Sequence, residues 1–170
     1  MTKMSKLLYF FDFRHFKEAG YPAIGLEYFA FERGPVPKKL WLQLKEGNVP
    51  DDFKGKLALD LKKDELDPQF KEIDFIAKTK PDLSVFSSRE KRLLEELAFT
   101  FKDVKAKEIS GISHLPNQPW EITKQEKGEN ALIDYMLAID QDAQIDREEA
   151  ESSLREHREI IKNFGLEPVQ

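Results

Sequence analysis

The chain has 170 residues, of which 40% are hydrophobic and 35% charged, and 13 of them are phenylalanine. This length and composition predict one domain with one hydrophobic core. The net charge of −5 argues against a general nucleic-acid-binding protein, and the acidity is concentrated in residues 131–170, which hold 4 basic and 10 acidic residues. The absence of cysteine excludes disulfides, thiolate catalysis and zinc sites of the finger kind.

The N-terminal segment predicts a central helix. Lys6 precedes the apolar run 7–11, which Asp12 closes and which is too short for the hydrophobic region of a signal peptide. No stretch approaches the length of a membrane span, so we expect a soluble, cytoplasmic protein with no membrane partner. Residues 4–19 carry an apolar face too wide for a surface helix, which predicts a mostly buried helix ended by Gly20.

A strand, a glycine and two prolines follow. Residues 26–31 are mostly aromatic or aliphatic, which is typical of a buried strand. Gly34 stops this run and can adopt a positive φ at little cost. Proline is tolerated in the first turn of a helix, so we expect Pro35 and Pro37 to begin the helix that continues through residues 38–44.

Two further strands are predicted from residues 56–60 and 70–77, with a turn at Asp67–Pro68 between them. We expect both to pair with residues 26–32 in one small antiparallel sheet. The predicted fold class is α+β, a mostly helical single domain with a sheet of two or three short strands.

The second half of the chain predicts further helices. A capping box at Ser87–Glu90 precedes residues at helical spacing. A short helix is predicted at 104–113, and the Ala, Leu and Met content of residues 130–139 favours a helix over a strand. Asp146 begins a polar final helix that Gly165 ends.

His114 and Trp120 lie on a proline-rich predicted loop next to Ser113, and three interpretations stay open. A histidine beside a hydroxyl suggests catalysis, but an orienting acid and an oxyanion site have no local signature. Alternatively, the loop binds a partner, or Trp120 packs into the core while His114 bonds to backbone. We predict no catalytic residue.

The chain is predicted to hold no metal ion and no cofactor. Residues 140–151 match the oxygen spacing of a calcium loop, but Ile145 stands where an EF-hand needs glycine. Neither His15 nor His157 has a metal-ligating residue four positions further along its helix.

The surface offers two weaker signals. The lysines at 38–39 are predicted to be ordinary helix surface, since no nucleic-acid-binding motif accompanies them. The aromatic residues at 28–31 are predicted to be core, with one alternative: surplus aromatic side chains can form an exposed apolar patch that binds a partner.

Six short segments occur in an order known from one family: Lys6–Phe13, Gly25–Tyr28, Gly34–Pro37, Phe86–Glu90, Ile109–His114 and Pro119–Trp120. The chain therefore resembles the Panacea domain of the SocA-like antitoxin family, also described as phage-associated GepA-like proteins. The similarity covers roughly residues 4–140 and continues into the acidic helix.

The resemblance implies a mostly helical α+β domain that serves as the antitoxin of a bacterial or phage toxin–antitoxin pair. Residues 1–145 are predicted to form this domain, and residues 146–170 an acidic C-terminal helix packed on it or extending from it. The implied partner is a cognate toxin protein, with a ClpXP-type protease as a second partner if the protein acts as an adaptor. The implied protein is not an enzyme, and its oligomeric state is left open.

The family motifs also give a set of predicted partner-binding residues, which can equally be structural. They are Tyr28, Gly34, Pro35, Val36, Pro37, His114 and Trp120. Two alternative functions stay open: a hydrolase-type enzyme that uses the His114 loop, and an operator-binding autorepressor.

Overall fold

The computed structural model describes residues 1–63 and 71–165. The α+β fold class is confirmed. The elements are α1 (Thr2–Ala19), β1 (Tyr28–Phe31), β2 (Gly34–Pro37), α2 (Lys38–Lys45), β3 (Leu57–Lys63), β4 (Lys71–Ala77), α3 (Ser88–Phe101), α4 (Ala106–Ile112), α5 (Pro119–Lys127) and α6 (Arg147–Phe164), with short 3-10 helices at Asp51–Phe53 and Tyr135–Ala138.

Helix α1 lies between two hydrophobic clusters, which confirms the predicted central helix. On one side Tyr9, Phe13 and Phe16 pack with β1, α5 and the start of α6. On the other side Phe11 packs with α3 and α4, where Leu93 is fully buried. Burial of one such side chain contributes about 1.5–3 kcal/mol, so these clusters account for much of the stabilisation.

Strands β1 and β2 form an antiparallel hairpin, with Tyr28 opposite Pro37 and Phe31 opposite Gly34. The prediction that Pro35 and Pro37 begin a helix is therefore wrong for Pro35, which lies within β2. Gly34, at φ 103°, turns the chain back on itself. The φ that proline imposes also suits an edge strand, so α2 starts only after Pro37, its N-cap.

The predicted helix at 130–139 is wrong over its first half. Leu132 forms an antiparallel bridge with Phe29, and backbone hydrogen bonds join both sides of this bridge. Residues 130–133 thus run as an extended segment along β1, and only 135–138 form a single 3-10 turn. The free edge of β1 decides this, because its buried backbone groups need partners.

Strands β3 and β4 pair only with each other, from Leu57 opposite Ala77 onwards. The single sheet predicted from all three strands is therefore two separate two-stranded sheets. The physical reason is that β2 and the extended segment already occupy both edges of β1. The N-terminal amine of Met1 donates to the carbonyl of Ile73 at 3.0 Å. The predicted turn at Asp67–Pro68 lies outside the described residues.

The helix ends follow their local signals. Ser87 and Asp146 both form complete capping boxes, at the starts of α3 and α6. Gly20 and Gly165 end α1 and α6 in the left-handed conformation. Helix α5 was not predicted: it begins at Pro119, where the loop interpretation expected the chain to be irregular. Among the residues that the structure describes, no helix is both long and apolar enough to cross a bilayer.

Candidate partner-binding site

The predicted partner-binding residues lie in one region, formed by the β1–β2 hairpin and the segment 110–120 that packs against it. Most of them are buried. Tyr28 is 0% exposed and Trp120 is 6% exposed, and three residues of β2 are also buried, namely Gly34, Pro35 and Pro37. Only Val36 and His114 are partly exposed. We interpret the buried members as residues that hold the hairpin in place.

A buried lysine supports the hairpin from beneath. Lys6 is 1% exposed, and its Nζ donates to the carbonyl oxygen of Pro35 at 2.9 Å. Burial lowers the pKa of Lys6 to about 7, since desolvation disfavours the charged form. A Cβ at Gly34 would stand 2.7 Å from Lys6 Nζ and 2.8 Å from Ser113 Oγ. Only glycine therefore fits at this turn without displacing Lys6.

The segment 110–120 is tied to the hairpin by two hydrogen bonds to its backbone. Ser110 Oγ donates to the carbonyl of Arg33 at 2.7 Å, and Trp120 Nε1 donates to the carbonyl of Phe31 at 3.0 Å. The ring of His114 stacks on Trp120 with 4.0 Å between the ring centroids. The family motifs Ile109–His114 and Pro119–Trp120 thus contain the residues that position the hairpin.

His114 is placed in a cationic environment. Burial lowers its pKa most, Lys6 and Lys124 lower it further, and a hydrogen bond with the Arg33 backbone raises it. Among the described residues, no carboxylate is one of the groups that shift this pKa. A general base of the serine-hydrolase kind needs an acid to orient it, so the geometry gives no support to the hydrolase alternative.

Asp12 is a buried residue that sequence reasoning missed. It is 0% exposed and accepts hydrogen bonds from Ile24 N at 2.6 Å, Tyr28 Oη at 3.0 Å and Tyr135 Oη at 3.2 Å. Burial raises the pKa of Asp12, while the hydrogen bonds lower it. The carboxylate thereby joins α1 to the start of the hairpin. In the sequence Asp12 lies between Phe11 and Phe13, and this apolar setting is the signal that could have predicted its burial.

The outward face of the hairpin is partly exposed. Side chains alternate along a strand, and Tyr28 and Ala30 point into the core, so Phe29 and Phe31 point outward. We call this surface the aromatic–lysine face, and it consists of Phe29, Phe31, Val36, Lys38, Trp41, Lys45 and Leu132.

The carboxylates and histidines considered as metal ligands have other roles. Asp140 forms an ion pair with Lys17 at 2.6 Å, and Asp146 caps α6. His15 bonds to the carbonyl of Tyr21 at 2.8 Å. Within residues 1–63 and 71–165, no group of three His, Cys, Asp or Glu side chains could hold a metal ion.

A family model described as antitoxin SocA-like, Panacea domain, matches residues 4–121. The chain belongs to the SocA-like antitoxin family. The match runs from α1 into the first turn of α5, and so includes the hairpin, Lys6, Asp12 and the segment 110–120. Family membership supports an antitoxin-like role in general, a toxin as the kind of partner, and a non-enzymatic role. No curated protein and no solved structure matches the chain.

Proposed function

We propose that this SocA-like protein is a non-enzymatic antitoxin of a bacterial or phage toxin–antitoxin system, and that it neutralises its toxin by direct binding. The family match over residues 4–121 carries the proposal. Inhibition by binding needs no reacting group, only a complementary surface of roughly 800 Å² on each partner.

The packing around the hairpin supports a binding role. Lys6, Asp12 and Trp120 each bond to a different part of the hairpin or its start, so its backbone is fixed before a partner arrives. A surface that is already ordered loses less conformational entropy on binding, and affinity rises accordingly. The family motifs Gly34–Pro37 and Pro119–Trp120 are understandable as the residues that build this support.

A second step is proposed on the family resemblance alone: delivery of the bound toxin to a ClpXP-type protease. The two steps are separable by experiment. If delivery occurs, the half-life of the toxin in cells shortens when the antitoxin is present, and deletion of the protease restores it. An unchanged half-life would remove the adaptor role and leave inhibition by binding intact.

The direct test is co-expression in a bacterial host with the product of the adjacent open reading frame. Induction of that product alone should stop growth, and induction of both should restore it. A His114→Ala variant separates the two alternatives when toxin binding is measured beside protection: a hydrolase that uses this residue would lose protection while it still binds the toxin, whereas a binder loses protection only as far as it loses binding. If the neighbouring product is toxic and the wild-type chain gives no relief, the proposal fails.

A further inference from the structure

The aromatic–lysine face is continuous across three extended segments and α2. Val36 stands opposite Phe29 in the hairpin register, and Leu132 bridges Phe29 from the other side. The ring of Trp41 packs edge-on against Phe31 with 5.8 Å between centroids. These five apolar side chains therefore share one face of the sheet and the adjoining helix, instead of being scattered singly over the surface.

The face remains partly open to solvent. Leu132 is 48% exposed, and the other four apolar members are partly exposed. Phe99, on α3, is more exposed than these residues, at 79%, and Nζ of Lys102 lies 6.0 Å from its ring centroid. Phe99 is not part of the aromatic–lysine face. Aromatic residues are enriched at protein interfaces, and contiguous exposed apolar patches mark interaction sites.

Two lysines lie over the rings of this face. Lys38 Nζ is 5.3 Å from the centroid of Phe29, and Lys45 Nζ is 4.7 Å from that of Trp41. In the described part of the chain neither lysine forms an ion pair with a carboxylate. Helix α2 contains three lysines and no acidic residue, although the whole chain carries a net charge of −5. The two lysines of the face therefore have no ion-pair partner within the described residues, although Glu46 follows α2 directly.

The edges of the hairpin do not favour pairing with a further strand. Pro35 and Pro37 have no N–H to offer a new strand, and the carbonyl of Pro35 already accepts from Lys6. The opposite edge of β1 is occupied by residues 130–133. A partner that binds at the hairpin would therefore pack on the face itself, through side chains.

We infer that the aromatic–lysine face is the docking surface for the toxin, and that the toxin presents an apolar centre flanked by carboxylates. The inference rests on the proposed function and adds the place and chemistry of contact. Charge complementarity carries it: Lys38 and Lys45, which have no ion-pair partner among the described residues, attract acidic groups, and the aromatic side chains supply the apolar contact area. An acidic protein partner is favoured over nucleic acid because the net charge of the chain is negative.

The test compares matched variants in binding to the purified toxic product of the adjacent open reading frame. Lys38→Glu/Lys45→Glu reverses two charges on the face, and Lys78→Glu/Lys80→Glu makes the same change at exposed positions after β4. We expect the face variant to bind at least about tenfold more weakly and with a smaller salt dependence. The control should stay within about twofold of the wild type. Denaturant unfolding of each variant confirms that it is folded.

A second pair removes apolar contact without changing charge. Leu132→Ser should weaken binding, while Val85→Ser, at a position that is 74% exposed, should not. If the wild type protects cells and binds the toxin but both face variants bind like their controls, the inference fails and the proposed function stands. If the wild type neither binds nor protects, both fail. A 20-nucleotide single-stranded nucleic acid is the further probe. If it binds the wild type but not the Lys38→Glu/Lys45→Glu variant, while toxin binding is the same in both, the face belongs to nucleic acid and the inference is overturned.

Discussion

Gly34→Ala tests how the hairpin is held over α1. The residue has φ 103°, and the added Cβ would stand 2.7 Å from both Cε and Nζ of Lys6 and 2.8 Å from Ser113 Oγ. The end of a lysine usually moves aside at little cost. Here Lys6 is 1% exposed and bonded to the carbonyl of Pro35, so its displacement breaks that hydrogen bond within the core.

The expected loss in the free energy of unfolding of Gly34→Ala has two parts. Backbone strain at this φ contributes about 1–3 kcal/mol, and crowding in a closely packed site contributes about 1–3 kcal/mol. Gly55 is the matched control, with φ 78° and, apart from its chain neighbours, no atom of the described residues within 4 Å of an added Cβ, so Gly55→Ala reports strain without crowding. We expect Gly55→Ala to lower the free energy of unfolding by about 1–2 kcal/mol. Gly111→Ala, inside α4 with open space around it, should be stabilising by about 0.5–1 kcal/mol.

The assay is equilibrium urea unfolding of the three variants and the wild type, with the slope of the transition compared as well as its midpoint. Gly34→Ala should have the lowest midpoint, below Gly55→Ala by at least about 1 kcal/mol in the free energy of unfolding. Equal losses at Gly34 and Gly55 would refute the close contact between the turn, Lys6 and Ser113.

Three further predictions concern the groups that support the hairpin. Asp12→Asn should lower the free energy of unfolding by about 2–4 kcal/mol, because the new amide cannot accept all the hydrogen bonds of the carboxylate; a smaller loss than for a surface Asp would contradict its buried role. For Lys6, the unfolded chain binds a proton up to its ordinary pKa of 10.5 and the folded chain only up to about 7, so the wild type should gain stability as the pH rises between these values. The gain should approach about 1.4 kcal/mol per pH unit relative to Lys6→Met, and parallel pH profiles of the two proteins would contradict it. Trp120→Phe keeps an aromatic ring, but it removes part of a buried side chain and leaves the carbonyl of Phe31 without its donor, so thermal unfolding should show a loss of at least about 1 kcal/mol; an unchanged midpoint would contradict the bond.

The parts of the fold that depend on local interactions were predictable from the sequence. The capping boxes at Ser87 and Asp146 and the glycine ends at Gly20 and Gly165 each involve residues within one or two turns. Their free energy comes from neighbours along the chain, so the pattern alone indicates the helix boundary.

The errors arose where a local pattern has two solutions and distant residues choose between them. The φ of proline suits the first turn of a helix and also an edge strand, and Pro35 is placed in β2 by Gly34 and by the buried Lys6. The composition of 130–139 favours a helix, but the open edge of β1 draws residues 130–133 into an extended conformation.

The sequence predicts which part of the chain forms the candidate site, but not which of its side chains are exposed. The family motifs fall on the hairpin and on the Trp120 segment, yet most of the seven predicted partner-binding residues are buried. Lys6 and Asp12 were interpreted as charges at the ends of an apolar run, since a sequence does not reveal that a distant carbonyl or hydroxyl satisfies a buried charge. The sequence predicts that Phe29 is core and that the lysines at 38–39 are ordinary surface. Their combination into one face depends on the hairpin register.

The most direct measurement of the central claim is a stoichiometric titration. The purified toxin is held at a fixed concentration far above the dissociation constant, the antitoxin is added without any protease, and the remaining toxin activity is followed. Inhibition by binding predicts a linear loss of activity that ends at a constant molar ratio, whatever the incubation time. Complete loss at a small fraction of that ratio, increasing with time, would show turnover and contradict the account.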